Sequence, residues 1–134
     1  MKCNKWLFHE TRVKIYKKIL KDGIEVKAYK GIICKYEIGT IMVEKISTYY
    51  QIKYFRVREK YRQLGVGKKL LNAVLQEIEN REVIVYPNSE AYSGETPIEN
   101  ETLYTIYEHL GFQLEEEYVD RKKANERMKL IKKN

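Results

Sequence analysis

Two cysteines, two prolines, one tryptophan and seven glycines among 134 residues leave several protein classes without their raw material. Cys3 and Cys34 form no C-x-x-C pair, and each sits where a small buried apolar residue would serve equally well. They read as reduced thiols, not as a disulfide framework. So little proline and glycine excludes collagen-like and low-complexity chains. No stretch approaches ~18 uninterrupted apolar residues, so no membrane-spanning helix is expected. Met1 to Glu10 carries charges and a histidine where a signal peptide needs an apolar run, which points to the cytoplasm. Metal and triad chemistry also lack their parts. His9-Glu10 has no second histidine at zinc-helix spacing, and His109 has no cysteine or aspartate partner. No metal is expected, and both histidines read as surface residues.

What is present suits one globular domain over residues 1–134, with 43% hydrophobic and 34% charged side chains and no internal repeat or linker. A chain of this size buries about two-thirds of its unfolded surface, enough for a core without staples. Lys plus Arg number 26 against 19 Asp plus Glu, a net charge of +7. That excess favours an anionic partner: nucleic acid, an acidic protein surface or a phosphorylated small molecule.

Val13, Tyr16, Ile19 and Leu20 share a helical stripe, so a helix is predicted over Glu10 to Lys21, stopped by Asp22-Gly23. Short β-branched and tyrosine-rich runs follow at Ile24 to Tyr29, Ile32 to Tyr36, Ile41 to Ile46 and Gln51 to Val57. Turn signals at Lys30-Gly31, Ile38-Gly39 and Ser47-Thr48 divide them into an antiparallel meander. Val66, Leu70, Val74 and Ile78 recur four apart, predicting a helix over Gly67 to Asn80. The run Val83 to Tyr86 then reads as a buried strand ending at Pro87, which completes a β-α-β unit. Asn88 to Glu95 is polar and contains Gly94, so it is a loop. Thr96-Pro97-Ile98-Glu99 has the form of a capping box opening a helix with Leu103, Ile106, Tyr107 and Leu110 inward and Gly111 closing it. Phe112 to Val119 and Glu126 to Ile131 look like a final strand pair before a basic tail.

The most informative segment is Arg62-Gln63-Leu64-Gly65-Val66-Gly67-Lys68, between a strand and a helix. Its glycines allow a tight turn and leave N–H groups pointing outward at a helix N-terminus, where the macrodipole favours an anion. The dinucleotide fingerprint fails because leucine stands where its third glycine belongs. The nucleotide P-loop fails too, since no Ser or Thr follows Lys68. On the glycines alone, a plain strand-to-helix turn is the alternative.

Arg-x-x-Gly-x-Gly after a strand ending in valine resembles the pyrophosphate loop of the GNAT superfamily of acyl-CoA-dependent N-acyltransferases. A second signature lies downstream: Asn100, then Tyr107-Glu108-His109-Leu110-Gly111-Phe112, is similar to that family's Asn-x-x-Ala-x-x-Leu-Tyr-x-x-x-Gly-Phe, with Leu103 and Ile106 at its alanine and leucine positions. The resemblance runs from about Ile32 to Ile131. It implies an α/β, GNAT-like fold: a central mixed, mostly antiparallel sheet flanked by helices, with splayed parallel strands forming a cofactor wedge. It also implies acetyl-CoA as acyl donor. Phe55 and Val57 would offer backbone groups to the acetyl carbonyl and pantetheine, with Arg56 between them. The N–H groups over Gln63, Leu64, Gly65, Val66, Gly67 and Lys68, beside Arg62, would hold the pyrophosphate, and Asn100 would bond the cofactor arm.

The implied reaction is direct attack of a primary amine on the thioester through a tetrahedral intermediate, its oxyanion met by the Val57 N–H. Tyr107 would protonate the leaving thiolate, because phenol at roughly 10 and thiol at roughly 8.5 have neighbouring reference pKa values. Tyr104 is its substitute; both would line the cofactor. Tyr107 also lies on an apolar stripe and could be a core aromatic. For the base, Glu44, Glu37 and water stay open. Only about sixty residues precede the loop, room for one helix where the family commonly has two, so the acceptor pocket is open or completed by a partner chain such as a homodimer. At +7, a protein amine or a small neutral or anionic amine is expected over a polycation. The competing class is a non-catalytic CoA-binding GNAT-like module, or a basic nucleic-acid or protein adaptor. Twelve tyrosines among basic residues suit stacking on single strands, yet no RNA-binding pattern is present, so neither a nucleic-acid nor a membrane partner is expected.

Overall fold

The computed structural model describes residues 13–30, 36–78, 82–115 and 126–131. They build one seven-stranded sheet with strand order β1-β2-β3-β4-β5-β7-β6. The strands are β1 Lys14–Leu20, β2 Gly23–Lys30, β3 Tyr36–Ile46, β4 Tyr49–Val57, β5 Glu82–Val85, β6 Gln113–Leu114 and β7 Met128–Ile131. Only β4 and β5 pair in parallel. Helix α1, Val66–Glu77, connects β4 to β5, and α2, Asn100–His109, follows β5. The mixed, mostly antiparallel sheet with flanking helices is the architecture expected from the sequence. No described helix is long and apolar enough to cross a membrane.

The predicted first helix is a strand. Residues 14–20 pair antiparallel with β2, Lys14 opposite Tyr29 through Leu20 opposite Gly23. The same residues satisfy a period of two as well as one of 3.6. Ile15 joins the core, Lys17 reaches back to Gln76 and Glu77 of α1, and Tyr16 on the other face packs edge-on against Tyr29. Asp22-Gly23, read as a helix stop, instead closes a hairpin. Gly23 is required there because a Cβ would lie 2.3 Å from the Val43 carbonyl oxygen.

Ile38-Gly39 is likewise no turn. β3 runs through it, with Ile38 as the extra residue of a bulge between the pairs Ala28–Gly39 and Tyr29–Glu37. Glycine lets α1 approach at this point, for a Cβ on Gly39 would stand 3.0 Å from Leu70. Ser47-Thr48 is the expected hairpin, with Ser47 at φ 51. Cys3, Cys34, most of the Ile32 to Tyr36 run and the basic tail lie outside the described residues.

Helix α1 lays Leu70, Leu71 and Val74 across the sheet onto Val26, Ala28, Ile41 and Val43, all essentially buried. Each buried Val, Leu or Ile among them contributes about 1.5–3 kcal/mol. Helix α2 ends as expected. Gly111 at φ 104 lets Phe112 N–H donate to Tyr107 O and Gly111 N–H to Glu108 O, a Schellman closure. Its start differs from the sequence reading. The helix begins at Asn100 after Glu99, and no side chain caps it. Thr96 is held elsewhere: its N–H donates to Glu59, and its carbonyl accepts from Arg62.

Gly23→Ala is expected to cost about 1–3 kcal/mol by forcing β2 away from β3. Urea denaturation measures it, with exposed Lys18→Ala staying within about 0.5 kcal/mol of wild type.

Candidate active site

β4 and β5 are hydrogen-bonded only at Tyr50–Val83 and Gln51–Ile84. Immediately afterwards β4 bulges. Ile52 faces Val43 and Tyr54 faces Met42, which leaves Lys53 without a partner on β3. Beyond this bulge β4 parts from β5, and the strands enclose a wedge. The direction of the β4 amides follows from the ladder. Arg58 N–H donates to Ile38 O of β3, so by alternation the N–H and C=O groups of Phe55 and Val57 point away from β3, into the gap. The guanidinium of Arg62 reaches the Val57 carbonyl, Nε to O 3.1 Å.

Two adjoining cavities occupy the gap. The larger, about 400 Å³, runs from the loop Arg62 to Lys68 past Phe55 and Val57 to Tyr107, with Tyr61, Ile98, Leu103, Ile106 and Leu110 as apolar walls. The smaller, about 180 Å³, lies at the apex between Gln51 to Phe55 on one side and Val85 and Tyr86 on the other. Phe55, Asn88, Glu90 and Tyr107 line both. The loop end of the larger cavity suits an anion. Gly65 caps α1 at φ 82, no acidic residue stands in the first turn, and the first helical bond runs from Lys69 N–H to Gly65 O. The preceding N–H groups thus have no helical acceptor. Gly67 is shaped by contact: a Cβ there would meet the Phe55 ring at 3.4 Å.

Tyr107 joins the two cavities. Its ring stacks edge-on with Phe55 at 6.1 Å and Phe112 at 5.4 Å. Burial, reinforced by the Glu90 charge, raises its phenol well above the usual range. The near match of phenol and thiol expected from reference values is therefore not present in the free protein. Tyr107 stays an O–H donor across the physiological range.

The loop between β5 and α2 is strapped over the sheet face opposite α1. Tyr92 lies between two guanidinium groups, Arg56 at 4.2 Å and Arg58 at 4.1 Å from its ring, and its hydroxyl donates to Glu37 at 2.6 Å. Glu95 pairs with Arg58 and accepts from the Glu59 N–H. Arg62 donates to Thr96 O, and Ile98 N–H donates to Ser89 Oγ. At Glu37, burial raises the carboxyl but is outweighed by the Tyr92 hydrogen bond and by Lys27, so its pKa is lowered. Burial first, then the hydrogen bond to Glu37, raises the Tyr92 phenol.

With this geometry in hand, similarity to known proteins becomes interpretable. A model described as an acetyltransferase (GNAT) domain matches residues 26–114. The chain belongs to the GNAT acetyltransferase family. Its fold is similar to the PaiA N-acetyltransferase of Thermoplasma acidophilum in complex with coenzyme A, at 18% identity and TM-score 0.60, covering 82% of this chain and 61% of that one. An IAA acetyltransferase from Bacillus cereus gives 16% identity and TM-score 0.60 over 90% and 99% of the two chains. A Bacillus anthracis protein in complex with acetyl coenzyme A gives 22% and 0.62 over 84% and 64%. The GNAT chain thus spans under two-thirds of the first and third of these structures. No curated protein sequence matches it significantly.

Among residues singled out from the GNAT motifs, Phe55, Arg56, Val57, Arg62, Gln63, Gly65, Gly67, Lys68 and Tyr107 line the larger cavity. Leu64 is exposed and Val66 is buried in the core, so neither side chain lines it. Asn100, the first residue of α2, is not on the wall. Tyr104 is fully buried and turned away, its hydroxyl accepting from the Glu126 N–H at 3.1 Å. Neither candidate carboxylate reaches the wedge: Glu44 pairs with Lys53, and Glu37 is held by Tyr92 and Lys27. His109, read as a plain surface residue, is exposed but borders the cavity. Sequence reasoning missed Tyr61, Asn88, Glu90 and Tyr92. Only the polarity of the loop hinted at the last three.

Tyr92→Phe is expected to cost about 1.5–3 kcal/mol at pH 7, the value of a hydrogen bond to a charged group. Because the Glu37 pKa is lowered by folding, its contribution is present above the ordinary carboxylate range and is lost as pH falls through the lowered value. Urea denaturation at pH 7 and at about pH 3 should show the gap between variant and wild type narrowing in acid.

Proposed function

We propose that this GNAT chain is an acetyl-CoA-dependent N-acetyltransferase that acts on a primary amine. The observation that carries the reading is the pair of strand amides, Phe55 and Val57, directed into a continuous cleft that joins a glycine-turned helix N-terminus to a buried tyrosine. An extended pantetheine arm can add to β4 there as a strand would. The N–H groups over Gln63 to Lys68 would receive the pyrophosphate, and Lys68 adds positive charge at the mouth.

The bound thioester supplies an activated acyl group, and the protein's part is positional and electrostatic. Val57 N–H meets the oxygen on which negative charge develops, while Arg62 keeps the neighbouring carbonyl occupied. Tyr107 donates its proton to the departing sulfur. Its raised pKa does not preclude this, because the same desolvation raises the pKa of a thiol in the same cavity. Asn100, Tyr104 and Glu44 have no part in this reading: Asn100 is off the cavity wall, Tyr104 serves the C-terminal strand, and Glu44 is tied to Lys53.

Acetyl-CoA at about 100 times its dissociation constant should stabilise the protein by about 2.7 kcal/mol, read as a rise of several degrees in the thermal midpoint. An oligonucleotide should give no shift; a shift with the oligonucleotide alone would favour a basic nucleic-acid module. Gly65→Asp should weaken acetyl-CoA binding at least tenfold in calorimetry by placing a carboxylate beside the pyrophosphate. Tyr107→Phe should lower kcat by about 100-fold with acetyl-CoA affinity kept; unchanged turnover would assign the proton to water.

A further inference from the structure

The proposed reaction leaves one group of the wedge unused. Glu90 lines both cavities, and its negative charge is felt by the Tyr107 hydroxyl. Its carboxylate has no ion-pair or hydrogen-bond partner among the described residues. Nearby cations are engaged elsewhere: Lys53 pairs with Glu44 at 3.1 Å, and Arg56 stacks on Tyr92. The apex cavity, about 180 Å³, has a mostly polar lining in which this exposed carboxylate stands with Gln51, Lys53 and Asn88, and Tyr107 joins it to the larger cavity. A carboxylate with no ion-pair partner at the edge of a cavity is placed to attract an ammonium group.

The position of Glu90 is fixed from outside the wedge. Two residues on, Tyr92 is clamped by Arg56 and Arg58 and bonded to Glu37; one residue before, Ser89 Oγ accepts from Ile98 N–H. The hairpin joining β1 to β2 has no helix, and no described helix precedes β4. The strapped loop therefore covers sheet that nothing else in the described chain covers.

Resting on the N-acetyltransferase reading, we infer that the apex cavity is the acceptor site, that it takes a small primary amine carrying a single positive charge, and that Glu90 is its catalytic base. Glu90 accepts the first ammonium proton and passes it to solvent, to which it is open. The nitrogen lone pair forms the C–N bond, the carbonyl pair moves onto oxygen at the Val57 N–H, and the C–S bond breaks as this tetrahedral intermediate collapses. Tyr107 gives its proton to sulfur, and the second nitrogen proton restores the phenol. The products are an amide, a free thiol and one proton. One carboxylate in a cavity of this size matches one ammonium, which disfavours polyamines.

The test compares wild type with Glu90→Gln, using ethanolamine, which is mostly protonated at pH 7, and 2,2,2-trifluoroethylamine, which is mostly neutral. Acetyl-CoA binding is measured by calorimetry on both proteins, and exposed Glu101→Gln serves as control. The expected result is a loss of about 100-fold in kcat/KM for ethanolamine, a much smaller loss for trifluoroethylamine, and unchanged acetyl-CoA affinity. Equal losses for the two amines, or none, would overturn the assignment of Glu90. Acetyl-CoA binding without acetylation of either amine by wild type would overturn the small-amine site. Failure of wild type to bind acetyl-CoA would instead overturn the reading on which the inference rests.

Discussion

The site depends on the parting of two parallel strands. β4 and β5 share only the pairs Tyr50–Val83 and Gln51–Ile84, and the bulge at Lys53 then turns β4 away. Separation of paired strands ordinarily leaves backbone groups unsatisfied, at a cost comparable to a lost hydrogen bond for each. Here the cost is limited. Val57 O accepts from Arg62, β3 keeps the other edge of β4 paired on both sides of the Lys53 bulge, and the cavity is open to water. The remaining amides are preorganised donors, aligned for a ligand that can pair as a strand does.

A second consequence is that the far wall of the wedge has to come from sequence beyond β5. The loop 86–99 supplies it, and its anchors are charges set on the strands and the short turn it crosses. Arg56 and Arg58 are two apart on β4 and its continuation, so both guanidinium groups reach the Tyr92 ring, while Glu59 and Arg62 hold Thr96. Arg56, Arg58 and Arg62, part of the basic excess, are used locally in this strap. Glu37, which looked like a candidate base, is the hydrogen-bond acceptor that orients Tyr92.

The sequence displayed what depends on local chemistry. The Gly65-Val66-Gly67 turn, the four-residue spacing of α1 and the Gly111 closure of α2 each follow from nearest-neighbour geometry and appear where expected. It was ambiguous where tertiary pairing chooses between periods. Lys14 to Leu20 fits either a helix or a strand, and only the hairpin with β2 decides. Gly39 reads as a turn because a glycine's need for close approach to Leu70 is invisible along the chain. Thr96 to Glu99 has the composition of a capping box, but Arg62 and Glu59, more than thirty residues earlier, claim its backbone. Tyr104 and Tyr107, one turn apart on α2, could not be separated by spacing; their hydroxyls point to opposite ends of the structure's logic, one to the Glu126 amide and one to the wedge.

The central claim is that the outward amides of β4 receive the acyl donor. Residue-resolved amide hydrogen exchange with and without acetyl-CoA tests it most directly. Arg58 N–H, already bonded to Ile38 O, should be slow in both conditions, whereas Phe55 and Val57 N–H should be fast in the free protein and at least tenfold slower with acetyl-CoA. Saturating acetyl-CoA that leaves Phe55 and Val57 exchange unchanged would contradict the account.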